Sequence, residues 1–214
     1  MSANSSENKT ANPGPLGLLG FGMTTVLLNI HNAGIVELSI VIVAMGLALG
    51  GAAQIIAGIS ELRFGNTFGG TAFTAYGLFW WSLCIIWINP FNAVINPADN
   101  ISMGFYLALW GVFTFFMFLG TLSHNTITRF VFLSLAVLFF LLSISEFTGN
   151  QHTKIIAGMV GILCGLSAIY SAMAQVVNGE LGKKNFSDMS RKNAYSFHKT
   201  IFPVFCVSGI LINL

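Results

Sequence analysis

Apolar residues along this 214-residue chain fall into six blocks that are separated by short polar stretches. Most blocks approach the roughly 20 residues that an α-helix needs to cross a bilayer. Because lipid offers the backbone no hydrogen-bond partners, continuous apolar segments of this kind cross it as helices. The pattern predicts an all-α integral membrane protein, a six-transmembrane-helix bundle with helices at residues 15–30, 35–60, 70–88, 101–121, 127–145 and 153–177.

The bundle is predicted to occupy residues 12–178, between two tails. Residues 1–11 are polar and lack the apolar stretch of a signal peptide, so we expect a disordered cytoplasmic tail. Residues 179–214 form a second tail, polar at first, that ends in a mostly apolar segment at 201–214. Those fourteen residues are too few to span a bilayer as a helix. The first predicted helix is the shortest and is polar at its far end.

Composition and charge support this interpretation. Apolar residues make up 55% of the chain and charged residues only 7%, whereas a soluble domain carries about a quarter. Six spans with both termini in the cytoplasm leave only Lys154 outside, and all other basic residues inside: Lys9, Arg63, Arg129, Lys183, Lys184, Arg191, Lys192 and Lys199. This bias follows the positive-inside rule. We therefore expect a multi-pass protein of the inner (plasma) membrane.

Ionisable groups are absent from the centres of the predicted spans. The seven acidic and nine basic residues fall in tails, loops or helix ends, whereas proton relays and ion-coupling sites place such groups in mid-membrane. No nucleophile–base set or metal-ligand cluster is evident, and the three cysteines are far apart. We therefore expect no enzymatic activity, cofactor, metal site or nucleic-acid partner.

Neutral polar side chains, by contrast, recur within the spans. They include Thr24, Asn29, Gln54, Thr74, Tyr76 and Ser167. Such groups commonly form hydrogen bonds between membrane helices, or they line a narrow passage for a small polar solute. Glycines at Gly46/Gly50 and Gly161/Gly165 have the spacing that lets helices approach closely.

The start of the first helix carries Asn12, Pro13 and Pro15. Proline suits a first helical turn because its missing N–H would have no partner there, and Asn12 can cap the helix or form an Asx turn. Two interpretations remain open: a rigid helix start, or a vestibule whose free N–H groups and helix dipole attract an anion.

Longer motifs resemble a known family. Residues 12–25 read Asn-Pro-Gly-Pro-Leu-Gly-Leu-Leu-Gly-Phe-Gly-Met-Thr-Thr, and residues 65–77 read Gly-Asn-Thr-Phe-Gly-Gly-Thr-Ala-Phe-Thr-Ala-Tyr-Gly. Shorter matches follow at 109–114 and 164–170. Over residues 11–178 the chain resembles the acetate uptake transporter family, of the GPR1/FUN34/YaaH type.

The resemblance implies six helices with a pore in each protomer, cytoplasmic termini and a homo-hexamer. It implies acetate and related short monocarboxylates as substrates, sometimes succinate. An apolar constriction, which we call the neck, matches Phe21, Tyr76 and Leu135, and a pore-lining position matches Ala168 beside Ser167. The apolar end of the tail departs from the family, which leaves its role open.

An isolated carboxylate in a dry apolar medium tends to take up a proton. We therefore expect proton-linked movement of the acid, by a channel or a symport mechanism, with protons and membrane lipid as the other partners. His31, Glu37, Glu146 and His152 lie near the outer face and are candidate proton donors. The alternatives are a channel for a small neutral solute such as ammonia or urea, and a non-transporting membrane scaffold.

Overall fold

The computed structural model describes residues 11–91 and 93–182, which form six long helices and no strand. They are α1 (Gly14–Asn32), α2 (Ile40–Arg63), α3 (Thr67–Ile88), α4 (Asn100–Gly120, followed by a 3₁₀ turn at Thr121–Ser123), α5 (Thr126–Thr148) and α6 (Gln151–Leu181). The predicted six-helix bundle is confirmed within these residues. Nearly all of the first tail and the apolar segment 201–214 lie outside the described residues.

Five of these helices, α2 to α6, are long and apolar enough to cross a membrane. The first helix has 19 residues, which is about 28 Å of helix. It packs between α2 and α6, and it buries Thr24, Thr25, Asn29 and Asn32. The polar far end expected for α1 is thus enclosed by its neighbours rather than exposed to lipid.

Local signals explain why several helix ends differ from the prediction. Gly34 has φ +77 and ends α1, so α2 begins five residues later than predicted, after Ser39. Asn66 accepts a hydrogen bond from the Gly69 N–H at 3.1 Å and starts α3 early. Hydrogen bonds from the Ser102 backbone and hydroxyl to the Asp99 carboxylate start α4 and lower the pKa of Asp99. The last helix, α6, continues to Leu181, beyond residue 178, where the bundle is predicted to end.

The second helix contains a π-helical stretch, Gly46–Ala53, that the sequence did not predict. Neighbouring side chains hydrogen-bond to carbonyl groups in and beside this stretch. The Trp81 indole N–H donates to the Leu47 oxygen at 3.0 Å, and the Thr24 hydroxyl reaches the Met45 oxygen at 3.4 Å. A π-helical turn is uncommon and often marks a functional region.

The helices form an up-and-down ring in which α1 also closes against α6. Backbones approach least at the boundary between α3 and α4. Large aromatic side chains bridge that boundary, with Trp110 placed 5.1 Å from Phe79 and 6.2 Å from Tyr76 between ring centroids. The centre of the ring is therefore filled by aromatic residues rather than by tightly packed backbone.

Glycines bring α1 and α6 together. A Cβ atom added at Gly165 would lie 2.8 Å from the Gly22 carbonyl oxygen and 2.9 Å from the Val26 nitrogen. One added at Gly161 would collide with the Asn29 side chain. The close approach predicted from the Gly161/Gly165 spacing is confirmed. The other pair, Gly46 and Gly50, is packed against side chains of α3.

Replacement of Gly165 by alanine should destabilise the bundle because its Cβ meets backbone atoms that no rotamer change can move. Overpacking of this kind costs about 1–3 kcal/mol. Thermal unfolding of purified Gly165→Ala in detergent should therefore begin at a lower temperature. Gly179→Ala on the same helix is the control, since nothing lies within 4 Å of that position and alanine favours a helix by up to about 1 kcal/mol. Equal melting temperatures for both variants would contradict this account of α1–α6 packing.

Candidate functional site

Two cavities enter the bundle from opposite ends. The first, of about 310 Å³, lies where α1, α3 and α5 begin and α2 and α6 end. Its wall includes Asn12, Leu18, Phe21, Gln54, Glu61, Asn66, Tyr76, His124, Leu135 and Gln175. The second, of about 170 Å³, lies at the other end, and its wall includes Leu28, His31, Asn32, Phe79, Leu83, Leu107, Leu142, Glu146 and Lys154.

An apolar layer separates the two cavities. The structure brings together Phe21, Tyr76 and Leu135, the three residues of the neck, at the inner end of the first cavity. They are only 6%, 4% and 3% exposed. The walls of the two cavities begin seven residues apart on α1 and on α5, which corresponds to roughly 10 Å along a helix. The layer is therefore thin and closed in this conformation.

Hydrogen bonds and ring contacts fix Tyr76 in the neck. Its hydroxyl donates to Thr114 Oγ1 at 3.0 Å, and the Thr114 hydroxyl donates to the Trp110 carbonyl oxygen at 2.7 Å. The rings of Phe113 and Phe132 pack 5.5 Å and 6.2 Å from the Tyr76 ring. With its hydroxyl engaged by α4, Tyr76 contributes an apolar ring to the neck.

At the mouth of the first cavity, Asn12 links the start of the first helix to the end of the last one. Its Oδ1 accepts a hydrogen bond from the Gly14 N–H at 3.0 Å, so the predicted Asx turn is confirmed. Its Nδ2 donates to Gln175 Oε1 at 3.1 Å. This second bond joins the start of α1 to the last turns of α6, which the sequence did not predict.

The first turn of α1 has fewer free donors than expected. The Pro13 carbonyl oxygen accepts the N–H groups of Leu16 and Gly17 at 3.1 Å and 3.3 Å, Pro15 has no N–H, and the Gly14 N–H is bound to Asn12. Of the two interpretations of this segment, the structure favours the rigid helix start over an anion vestibule with free N–H groups. Only the helix dipole remains to favour an anion.

Sequence reasoning missed Glu61 as a component of the cavity wall. It lies in the last turn of α2 and is 7% exposed. Its Oε2 accepts a hydrogen bond from Asn66 Nδ2 at 2.6 Å. His124, also in the wall, packs against Phe68 with ring centroids 4.9 Å apart. The signal was available, because Gln54 and Glu61 are seven residues apart and share one face of a helix.

Gln54 is the wall residue with the most unusual surroundings. It follows the π-helical stretch directly and its side chain is fully buried. Among the described residues, neither its Nε2 nor its Oε1 has a hydrogen-bond partner. The structure thus places this candidate residue in the cavity wall with an unpaired amide.

Two polar candidates on α1 belong to helix packing. The Thr24 hydroxyl donates to the Gly20 carbonyl oxygen at 2.8 Å, and Thr24 is fully buried. Asn29 donates to the Thr25 oxygen at 2.8 Å and accepts from Asn32 at 3.1 Å. Neither residue lines either of the two cavities. The hydrogen bonds of both side chains are thus made within α1, and Asn29 also packs against Gly161 of α6.

The candidates Thr74, Ser167 and Ala168 also lie outside the walls of both cavities. Thr74 faces Gly58 across the α2–α3 contact, and its hydroxyl has no partner among the described residues. Ser167 donates to the Cys164 oxygen of its own helix at 2.6 Å. Ala168 is fully buried in the apolar core.

This arrangement suits passage of a small solute. Wide, partly polar cavities lie at both ends, and a short layer without charge lies between them. A bare ion would lose its hydration in that layer at a large energetic cost. The described residues also contain no cluster of histidine, cysteine and acidic side chains that could hold a metal.

Comparison with known proteins gives the same picture. The succinate-acetate/proton symporter SatP of Escherichia coli (strain K12) is 52% identical over 175 residues, which are 82% of this chain and 93% of that protein. The ammonia transport outward protein 2 of Saccharomyces cerevisiae is 40% identical over 176 residues, 79% of this chain and 62% of that protein. The solved structure of the bacterial acetate channel SatP matches with a TM-score of 0.81 and 51% identity, covering 84% of this chain and 99% of that one.

A sequence model of one family spans the whole bundle and both of the motifs described above. It matches residues 1–185 and is that of the GPR1/FUN34/yaaH family. The resemblance found in residues 12–25 and 65–77 is confirmed. The chain therefore belongs to the GPR1/FUN34/yaaH family.

Proposed function

We propose that this protein carries acetate and other short-chain monocarboxylates across a membrane, through the two cavities and the neck between them. The observation that carries the proposal is the thin, uncharged neck, flanked by a cavity at each end. It is supported by 52% identity to a succinate-acetate/proton symporter over most of both chains. We propose succinate, a larger and doubly ionisable acid, as a further substrate, because that relative is named a succinate-acetate/proton symporter.

The apolar neck favours movement coupled to protons. Transfer of an ionised carboxylate into a medium of low dielectric costs tens of kcal/mol in the idealised limit, so the group takes up a proton instead. Glu61 and His124 in the first cavity, and His31 and Glu146 in the second, are near enough to the solute route to exchange protons with it. The acid then crosses the neck as a neutral molecule.

A channel for a small neutral solute is the second candidate. The uncharged neck would admit ammonia or urea equally well, and one relative is named for outward ammonia transport. The two candidates differ in pH dependence. Acetate accumulates in the alkaline compartment, ammonia as a base accumulates in the acidic one, and urea flux does not depend on the pH gradient. A scaffold without transport is less well supported, because it has no need for cavities at both ends.

Reconstituted protein should take up labelled acetate in a saturable manner when the lumen of the liposome is alkaline. The signal is the uptake above that of protein-free liposomes, because acetic acid also crosses lipid unaided. Unlabelled acetate should compete, and collapse of the pH gradient should abolish accumulation. Saturable urea or ammonia flux without any saturable acetate component would favour the second candidate.

Shortening a neck side chain should relax selectivity for acid size. Leu135→Ala removes three carbons from a side chain that is 3% exposed, and each methylene-sized difference in an apolar pocket changes discrimination about 10–200-fold. We expect the ratio of butyrate to acetate uptake to rise by about tenfold or more. Leu133→Ala is the control, since Leu133 lies on the same helix but is 45% exposed. An unchanged ratio in Leu135→Ala would remove Leu135 from the neck.

We propose further that the protein is a homo-hexamer in the inner (plasma) membrane with both termini cytoplasmic. All six helices present apolar side chains outward, such as Leu109 at 71% and Phe116 at 66% exposure on α4, which suit contact with lipid or with neighbouring protomers. Native mass spectrometry from detergent should give six copies, and protease added to inside-out vesicles should remove the basic tail. A monomeric mass, or a tail protected in such vesicles, would contradict these assignments.

A further inference from the structure

The first cavity contains a polar group whose hydrogen-bonding capacity is unused. Asn12, Glu61 and Gln175, in the same wall, each make a side-chain hydrogen bond. Gln54 is fully buried, and neither its Nε2 nor its Oε1 has a partner among the described residues. This amide lies in the wall that leads to Phe21, Tyr76 and Leu135.

Packing alone does not account for this glutamine. A buried polar group without a partner is unfavourable, and native proteins seldom retain one without a reason. Methionine would fill a similar volume with no unpaired atoms. The local backbone is specialised as well: the π-helical stretch ends at Ala53, and a Cβ atom added at Gly20 on α1 would lie 3.4 Å from Gln54 Cγ.

The chemistry of the amide indicates the ligand. A primary amide presents one N–H donor and one carbonyl acceptor on a common edge. A protonated carboxylic acid presents the matching acceptor and donor, so the two groups form a pair of parallel hydrogen bonds. A carboxylate has acceptors only, and would bring one of its oxygens against the amide oxygen. Ammonia cannot satisfy both atoms of the amide edge in this parallel way.

We infer that Gln54 is the recognition site for the un-ionised carboxyl group, and that it distinguishes acetic acid from the acetate ion before the neck. The inference rests on the proposed function, and it identifies the substrate itself as the carrier of the transported proton. Because the amide is fully buried, the acid displaces neighbouring side chains as it enters and the site forms around it.

Few titratable side chains share the cavity wall with Gln54. Glu61 on α2, Tyr76 on α3 and His124 between α4 and α5 share the cavity wall with Gln54. The part of the wall contributed by α1 and α6 contains no titratable side chain. Glu61 is two helical turns from Gln54, and the Tyr76 hydroxyl is bound to Thr114. Glu61 and His124 are the groups whose titration must be separated from that of the substrate.

Acetamide distinguishes titration of the substrate from titration of Glu61 and His124. It offers the same paired donor and acceptor as acetic acid, and it is neutral at every pH. Saturation-transfer NMR on the purified protein in detergent should detect the acetate methyl group at low pH. The concentration of total acetate needed for half-saturation should rise about tenfold per pH unit above the pKa of the acid. Acetamide should compete, with an inhibition constant that does not change over the same pH range.

Gln54→Met should remove the site while leaving the fold intact. Its melting temperature should not fall, since the change removes two unpaired polar atoms. A site built to hydrogen-bond its ligand discriminates by orders of magnitude, so acetate and acetamide signals should each weaken at least tenfold. Gln151→Met, the same change at the exposed start of α6, should leave both signals unchanged.

The outcomes distinguish this inference from the proposed function. Half-saturation by acetate that is independent of pH, failure of acetamide to compete, or undiminished binding in Gln54→Met would each overturn the role of Gln54. An inhibition constant for acetamide that changes with pH would instead assign the pH dependence of binding to Glu61 or His124. That result would also overturn the role of Gln54. Binding as expected, combined with no saturable flux in liposomes, would uphold Gln54 and reject transport.

Discussion

The absence of water from the bilayer interior is the constraint on which the rest of this structure depends. Every polar group within the spans must find its partner inside the bundle. Thr24, Asn29 and Thr114 satisfy this requirement through nearby carbonyl oxygens or side chains. Gln54 and Thr74 both have polar side-chain atoms that are buried without a partner among the described residues. Thr74 faces Gly58 in the α2–α3 contact, whereas Gln54 lies in the cavity wall. The constraint thereby separates groups whose hydrogen bonds are satisfied within the bundle from a group in the cavity wall that is available to a solute.

The same constraint explains how the helices are held. Lipid removes the hydrophobic driving force between helices, so that close packing must supply the cohesion. Glycines supply it where α1 meets α6, and aromatic rings supply it where α3 and α4 stand further apart. The neck draws on both parts of this arrangement, because Phe21 lies on α1, Tyr76 on α3 and Leu135 on α5.

Much of the fold was predictable because hydropathy and glycine spacing are local properties of the sequence. The six helices and the close approach at Gly165 follow from such patterns. The π-helical stretch in α2 does not, and its Leu47 carbonyl is bound by the Trp81 side chain of α3, which is distant in sequence. The site was less predictable. From the sequence, Glu61 resembles an ordinary helix-end acid, whereas the fold places it in the cavity wall. The sequence also leaves an anion site open at the first turn of α1, where Asn12 and the Pro13 carbonyl group engage the N–H donors.

The hydrogen bond between Asn12 and Gln175 joins residues 163 positions apart, and this separation bears on how the protein is made. The first helix emerges from the ribosome before its principal neighbour, α6, which is synthesised last. Until then its buried face, with Asn29 and Gly22, has no surface to pack against. Closure of the ring between α1 and α6 consequently has to wait until all six helices have been synthesised. A nascent chain that stops before α6 leaves the face of α1 that contains Gly22 and Asn29 uncovered, as a target for membrane quality control.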